Sequence, residues 1–233
     1  MTETTGFSRG RYRLRVLDAF CCAGGMAMGF HRAGFDVVGV DIVPQPDYPF
    51  TFVQGDAVDY IREYGAGFDL IHASPPCQAW TPLNAYNHKT YPELIAPARQ
   101  AIQTTGRPYV IENVEAARGE LLDPFMLCGP MFGLRLYRHR LFETGGFTLS
   151  PPPHPAHRQK CARNGYLPTP RQPFMTITGG RHSKAWQRAA AMTMGTPWIT
   201  TIKGVCEAIP PAYAEWIGRA FLEATDSELE AAA

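Results

Sequence analysis

The hydrophobic and polar pattern predicts strands that alternate with helices over the first half of the chain. Short apolar runs bounded by turn residues or acids are typical of buried strands, and they cover 14–20, 35–40, 51–53, 68–73 and 108–111. Helical spacing of apolar residues occurs at 26–33, 58–63 and 93–105. This alternation predicts an α/β fold with a mostly parallel, doubly wound, Rossmann-like sheet.

The pattern weakens after Leu149, where proline and glycine become dense. Two further helices are predicted, at 186–194 and 211–222. We therefore divide the chain into five parts: a flexible N-terminal arm (1–13), a main domain (14–144), a short basic segment (145–175), a C-terminal part that completes the main domain (176–224) and a flexible acidic tail (225–233).

A glycine turn follows the first predicted strand, and the second strand ends at Asp41. Strand, glycine-rich turn, helix and strand ending in an acid form a nucleotide-binding unit. The turn lacks the full Gly-x-Gly-x-x-Gly pattern that seats a pyrophosphate. An adenosine ligand without a phosphate chain therefore fits better than a dinucleotide, although Asp41 could also be a helix cap or a solvated acid.

Reactive side chains follow several strands. Asp18, Asp41 and Asp56 lie at or near the ends of the first three strands, while Cys77 and Glu112 follow the fourth and fifth. The carboxyl ends of parallel strands share one edge of the sheet, so these groups should converge there. Two prolines before Cys77 stiffen its loop, which suits a nucleophile but equally suits a buried structural cysteine.

The formal net charge of +1 conceals a strongly basic block. Between residues 135 and 188 there are ten lysines and arginines and one acid, Glu143. Such a block with interleaved aromatic residues favours a polyphosphate ligand, the alternative being a solvated loop surface. Six irregularly spaced cysteines and a polar N-terminus predict reduced thiols in a cytoplasmic protein with no membrane partner.

Five motifs occur together in the order found in DNA cytosine-5 methyltransferases, and the chain resembles that family from about Val16 to about Phe221. The motifs are Phe20-Cys21-Cys22-Ala23-Gly24-Gly25, Pro75-Pro76-Cys77-Gln78, Glu112-Asn113-Val114, Arg138-His139-Arg140 and Glu207-Ala208-Ile209-Pro210-Pro211. The resemblance implies a class I fold that uses S-adenosylmethionine and releases S-adenosylhomocysteine.

The resemblance also implies roles for individual residues. Cys77 would add to C6 of cytosine, Glu112 in its protonated form would donate to N3, and Arg140 would contact O2. Arg138 would support the loop near Cys77. The methyl donor would be held by the residues at the sheet edge: Asp18, Phe20, Ala23, Gly24, Gly25, Asp41, Ile42, Asp56, Ala57, Pro76 and Glu207.

Four residues at three places depart from the family pattern. Cys22 stands where glycine is usual, Leu136 replaces a glutamine, and Cys206-Glu207 replaces Gly-Asn. The large variable recognition domain of the family is also missing, since only residues 145–171 could serve, and they are too few for a core of their own. We therefore expect a short or relaxed target sequence.

We expect a monomer that acts on double-stranded DNA, flips the target cytosine out and grips phosphates with the basic block. Its compactness suits a phage or bacterial enzyme, with or without a restriction partner. Two alternatives remain open: the same chemistry on RNA or a free pyrimidine nucleotide, and a DNA-binding relative without catalysis.

The basic segment contains His154-x-x-His157-x-x-x-Cys161. This spacing permits two or three ligands of a tetrahedral zinc site. No clear fourth ligand is adjacent in the sequence, so we predict no metal and assign these residues to a basic loop near phosphate.

Overall fold

The computed structural model describes residues 13–80 and 90–231, with side chains to residue 226. Within these residues the chain forms a seven-stranded sheet in the order β3-β2-β1-β4-β5-β7-β6. The strands are β1 (Arg15–Ala19), β2 (Asp36–Asp41), β3 (Thr51–Gln54), β4 (Leu70–Ala73), β5 (Tyr109–Asn113), β6 (Phe125–Leu127) and β7 (Arg140–Gly145). The first five are parallel, and β7 is antiparallel to both neighbours.

Helices cover both faces of the sheet. They are α1 (Gly25–Ala33), α2 (Ala57–Tyr64), α3 (Ile95–Thr104), α4 (Lys184–Met194), α5 (Ile202–Glu207) and α6 (Pro211–Ala231). Alternate residues of a strand point to opposite faces, and the buried residues divide accordingly. Leu17 and Ile71 face α2 and α3, whereas Val16 and Leu70 face α1 and α6. Since both faces are buried, the strands are apolar throughout rather than alternating.

The five parallel strands were all predicted, but the edge pair was not. Phe125–Leu127 is only three residues long. Arg140–Gly145 begins with an arginine and contains Glu143. Neither segment has the apolar run of a fully buried strand.

The last helix is longer than predicted. It continues past Leu222 to Ala231, so the expected flexible tail is largely helical in the described residues. The expected N-terminal arm lies outside the described residues apart from Arg13. None of the helices in the described part of the chain is long and apolar enough to cross a membrane.

The 145–175 segment is irregular, as expected, with only isolated bridges such as Leu136 with Met175 and Cys161 with Phe174. Met175 and Ile177 pack with α4 and α5 in a small third apolar cluster. The segment is thus attached to the main domain rather than folded around a core of its own.

Candidate active site

A cavity of about 310 Å³ lies at the carboxyl edge of the parallel strands. This volume is within the range of small-molecule sites. Ten of the predicted site residues line it: Asp18, Phe20, Gly25, Asp41, Ile42, Pro76, Cys77, Glu112, Arg140 and Glu207. Side chains from distant parts of the sequence therefore line one cavity, at the sheet edge where the parallel strands end.

The loop that carries Cys77 is held by hydrogen bonds to the neighbouring strands. Asn113 donates from Nδ2 to the carbonyl oxygen of Pro75 over 2.9 Å, and the amide of Ser74 donates to Ala19. Beyond the prolines, the amide of Trp80 donates back to Cys77 and closes a turn. Asn113 belongs to the Glu112-Asn113-Val114 motif, but its sequence position implied no role for it. Its buried amide fixes the loop.

Cys77, Glu112 and Arg140 form the reactive end of the cavity. Arg140 pairs through Nε with Oε1 of Glu112 over 3.0 Å, and its Nη1 donates to the carbonyl of His139. Burial and the nearby Glu112 carboxylate raise the pKa of the Cys77 thiol, and Arg140 opposes this. The thiol is consequently protonated at neutral pH and must lose its proton to become a nucleophile.

Arg138 is buried and does not line the cavity. Its guanidinium donates to the carbonyls of Ile177 and Cys206 over 3.1 and 2.6 Å. The hydroxyl of Tyr213 donates to the backbone carbonyl of Arg138. Burial lowers the pKa of Arg138 to about 9. The side chain joins the start of β7 to Ile177 and to α5, and these contacts are not with the loop of Cys77 that the resemblance implied it would support.

The other end of the cavity is organised by Asp41. Its carboxylate accepts from the amides of Cys22 and Val43, both over 3.0 Å. Each carboxylate oxygen has a second lone pair for a ligand. Cys22 and Phe20 adopt left-handed backbone conformations, with φ of 45° and 57°. This region favours glycine, which accounts for glycine being usual at position 22 in the resembled family.

His72 on β4 was missed by the sequence analysis. Its Nδ1 lies 2.7 Å from Oδ1 of Asp18, and its Nε2 lies 3.2 Å from Oγ of Ser74. Asp18 and His72 are register partners on adjacent strands and are almost fully buried. Burial raises the pKa of Asp18. Both residues line the cavity. The sequence did not indicate this pair, because a single histidine within an apolar run is not a distinctive pattern.

Four residues that were predicted to bind the methyl donor do not line this cavity. They are Ala23, Gly24, Asp56 and Ala57. Asp56 caps α2, where it accepts from the amides of Val58 and Asp59. The carbonyl of Ala23 accepts from Nε1 of Trp198. Gly24 has φ of 78°, and a Cβ there would approach Pro49 to 2.8 Å. These contacts shape the loops that border the cavity.

The remaining departures from the family pattern also have defined positions. Glu207 lines the cavity and lies 4.0 Å from Lys203. Burial raises the pKa of Glu207. Leu136 is buried and pairs with Met175, so it anchors the 145–175 segment instead of reaching the cavity.

The sheet order and the cavity at its carboxyl edge define a Rossmann-like fold of the class I methyltransferases. Similar solved structures include a protein described as a DNA modification methyltransferase encoded within an E. coli prophage, with a TM-score of 0.65 and 16% identity over 91% of this chain and 99% of that one. The S. pombe Dnmt2 methyltransferase gives a TM-score of 0.58 and 13% identity, again over 91% of this chain and 99% of that one.

The methyltransferase EhMeth of Entamoeba histolytica is similar to a comparable degree, with a TM-score of 0.59 and 12% identity over 91% of this chain and 99% of that one. No protein-family model matches the chain, and no curated protein sequence matches it. At these identities the likeness establishes the fold.

Proposed function

We propose that the protein transfers a methyl group from S-adenosylmethionine to C5 of cytosine in DNA. The observation that carries this proposal is the cavity itself. A thiol and a Glu112–Arg140 pair occupy one end of it, and Asp41 and Phe20 occupy the other. The end with Cys77 suits a ligand with a pyrimidine ring. The end with Asp41 and Phe20 suits a second ligand with a ribose and an aromatic base.

The residues at the donor end suit S-adenosylmethionine. Phe20 and the exposed Ile42 offer apolar surface for an adenine, and Asp41 can accept from ribose hydroxyls. The carboxylate of Glu207 suits a ligand with a cationic sulfonium and an ammonium group. When bound, S-adenosylmethionine supplies a methyl group activated by positively charged sulfur.

We assign Cys77 as the nucleophile. Cytosine C5 is too weak a nucleophile on its own, whereas addition of the Cys77 thiolate to C6 converts the ring into an enamine. The new Sγ–C6 bond would place electron density on C5, which would take the methyl carbon as its bond to the sulfonium sulfur breaks and S-adenosylhomocysteine leaves. Loss of the C5 proton to a base would then restore the C5–C6 double bond and expel Cys77 as the thiolate, which releases 5-methylcytosine.

Glu112 and Arg140 are assigned to the cytosine ring. Glu112 in its acid form donates to N3 and neutralises the charge that develops during thiolate addition, and Arg140 donates to O2. Their ion pair must rearrange when the base enters, because Glu112 must give up its contact with Arg140 and gain a proton. Arg138 is a positioning residue, since it binds backbone carbonyls.

DNA is the proposed substrate because of the basic surface. Of the ten basic residues between 135 and 188, Arg140 lines the cavity and Arg138 is buried beside it in the sequence, and the other eight are exposed. Exposed lysines and arginines bind phosphates without reading sequence. Since the 145–175 segment has little regular structure to place in a groove, we propose a short recognition sequence. The target base is flipped into the cavity.

The test is transfer of tritium from labelled S-adenosylmethionine to unmethylated duplex DNA, followed by digestion to nucleosides and bisulfite sequencing. The proposal predicts labelled 5-methylcytosine within recognition sites shorter than about six base pairs. The variant Cys77→Ser should give no labelled 5-methylcytosine. Parallel reactions contain a short RNA duplex or free cytidine nucleotide. Label only in RNA or nucleotide, or in a base other than cytosine, would overturn the substrate assignment.

A further inference from the structure

Four side chains outside the proposed active site bring metal-ligating atoms together at one point. They are Cys128, His139, His154 and His157, and their ligand atoms all lie within 4.8 Å of one another. We propose that they form a structural zinc site with one thiolate and three imidazole ligands. This proposal is independent of the function proposed above.

Three of the distances between ligand atoms agree with a tetrahedral metal. Nε2 of His139 lies 3.2 Å from Nε2 of His154 and 3.3 Å from Nε2 of His157. With Zn–N bonds of about 2.0–2.1 Å, neighbouring nitrogens in a tetrahedron are about 3.3–3.4 Å apart. Sγ of Cys128 lies 3.4 Å from Nε2 of His157, against about 3.6 Å for a tetrahedral zinc with one sulfur ligand.

Hydrogen bonds alone satisfy this cluster poorly. Nδ1 of His139 lies 2.8 Å from Oε2 of Glu115. If this nitrogen donates to the carboxylate, Nε2 of His139 has a single lone pair and faces two imidazole nitrogens. Zinc-bound histidines commonly donate their other ring nitrogen to a carboxylate, which fixes the tautomer. Glu115 therefore occupies the position expected for a residue that orients a ligand.

The ligands come from three separate segments. Cys128 follows β6, His139 lies between Arg138 and Arg140, and the other two histidines belong to the 145–175 segment. The ring of Tyr137 stacks on His157 with centroids 3.7 Å apart. A metal here would tie a segment too small for its own core to the edge of the sheet, as zinc does in other small loop-rich units.

The proposed site differs from the expectation drawn from the sequence in two respects. No metal was predicted, because no fourth ligand is adjacent to His154 and His157 in the sequence. Cys128 and His139 supply the missing ligands from distant positions. Cys161, which the local spacing suggested, is not in the cluster and pairs through its backbone with Phe174. The class of metal follows from the donors, since one thiolate and three imidazoles favour zinc.

Metal content of the full-length protein, purified without chelators, is the first test. We expect about one zinc per chain by mass spectrometry, the stoichiometry of one structural site. His154→Ala and Cys128→Ser should lose the metal. The matched controls His31→Ala and Cys161→Ser should keep it. His154 and His31 are both exposed. A difference in metal content between these two histidine variants therefore reflects loss of a ligand and not loss of folding. Zinc retained in all four variants would overturn the assignment.

Cobalt provides a second, independent readout. Co(II) added to the chelator-treated wild-type protein should give the intense visible bands of tetrahedral coordination and a thiolate charge-transfer band that Cys128→Ser lacks. Glu115→Gln should weaken zinc binding roughly 10- to 100-fold in a competition with a chromogenic chelator. Purified protein without zinc and without a tetrahedral cobalt spectrum would contradict the proposal.

Discussion

Cys77 sets the expected response of the reaction to pH. Burial and Glu112 raise the pKa of its thiol, and the thiolate is the reactive form. Because the thiolate fraction increases as pH approaches the pKa from below, the single-turnover rate of the variant Glu112→Gln, in which residue 112 has no acidic proton to lose, should increase from neutral pH into the alkaline range. Rapid-quench measurements with saturating donor would check this. A rate that is flat or falls over the same interval would contradict thiolate addition as the slow step.

Glu112 can be tested by a substitution that keeps its size. Glu112→Gln removes the acidic proton and the ion pair with Arg140, so methyl transfer should fall by roughly 10²- to 10⁴-fold, as for loss of a general acid. Binding of S-adenosylmethionine, followed by titration calorimetry, should be unchanged. The exposed Glu120 provides the control Glu120→Gln, which should behave as wild type. Equal activities of the two variants would exclude the role proposed for Glu112.

At the scale of elements, one buried ion pair joins α3 to β7. Arg99 binds both carboxylate oxygens of Glu143 over 2.7 and 2.6 Å, and Glu143 also accepts from Tyr109 and from the amide of Leu122. The exposed fractions of the two side chains are 12% and 1%. The carboxylate therefore connects the antiparallel edge of the sheet to one of the covering helices.

Arg99→Ala should lower the free energy of unfolding by about 3 kcal/mol, because a buried carboxylate loses its charged partner. Arg219→Ala is the matched control, since it breaks the exposed pair with Glu215 in α6. Such helix pairs contribute about 0.3–0.5 kcal/mol. Urea unfolding of both variants measures the difference. Equal losses would show that the α3–β7 pair contributes no more than a surface contact.

The elements that could be predicted are those whose own residues specify them. The parallel strands are apolar runs, and Gly34 ends α1 in a left-handed conformation with φ of 111°. By contrast, β7 begins with Arg140 and contains Glu143, so its pairing with β5 depends on tertiary partners such as Arg99. Helix α5 is only six residues long, which is too short for periodicity to identify.

The candidate site shows the same division. Convergence of Cys77 and Glu112 followed from strand order, since Cys77 follows β4 and Glu112 lies near the end of the neighbouring parallel strand β5. The contacts of His72 with Asp18, and the fixing of Pro75 by Asn113, required the coordinates. The four residues of the proposed zinc site required the structure most, because no local spacing relates Cys128 and His139 to His154.

At the scale of the whole molecule, the exposed basic surface should make DNA binding dependent on salt. The logarithm of the binding constant should fall with the logarithm of salt concentration at about −0.9 per phosphate contacted. Arg163→Ala should reduce the magnitude of that slope by about 1. Arg62→Ala, an exposed residue of α2 that pairs with Asp59, should leave it unchanged. Fluorescence anisotropy over a salt series measures both, and a slope near zero for the wild type would contradict phosphate binding.

The central claim is that Cys77 forms a bond to C6 of a flipped cytosine. Duplex DNA that carries 5-fluorocytosine tests it most directly, because fluorine cannot leave C5 as a proton does and the covalent intermediate accumulates. With S-adenosylmethionine present, we predict a protein–DNA complex that survives denaturing electrophoresis and carries DNA on the peptide containing Cys77. Cys77→Ser should give no such complex. Methylation of normal duplex DNA without any trapped complex, or an adduct at another cysteine, would contradict the account.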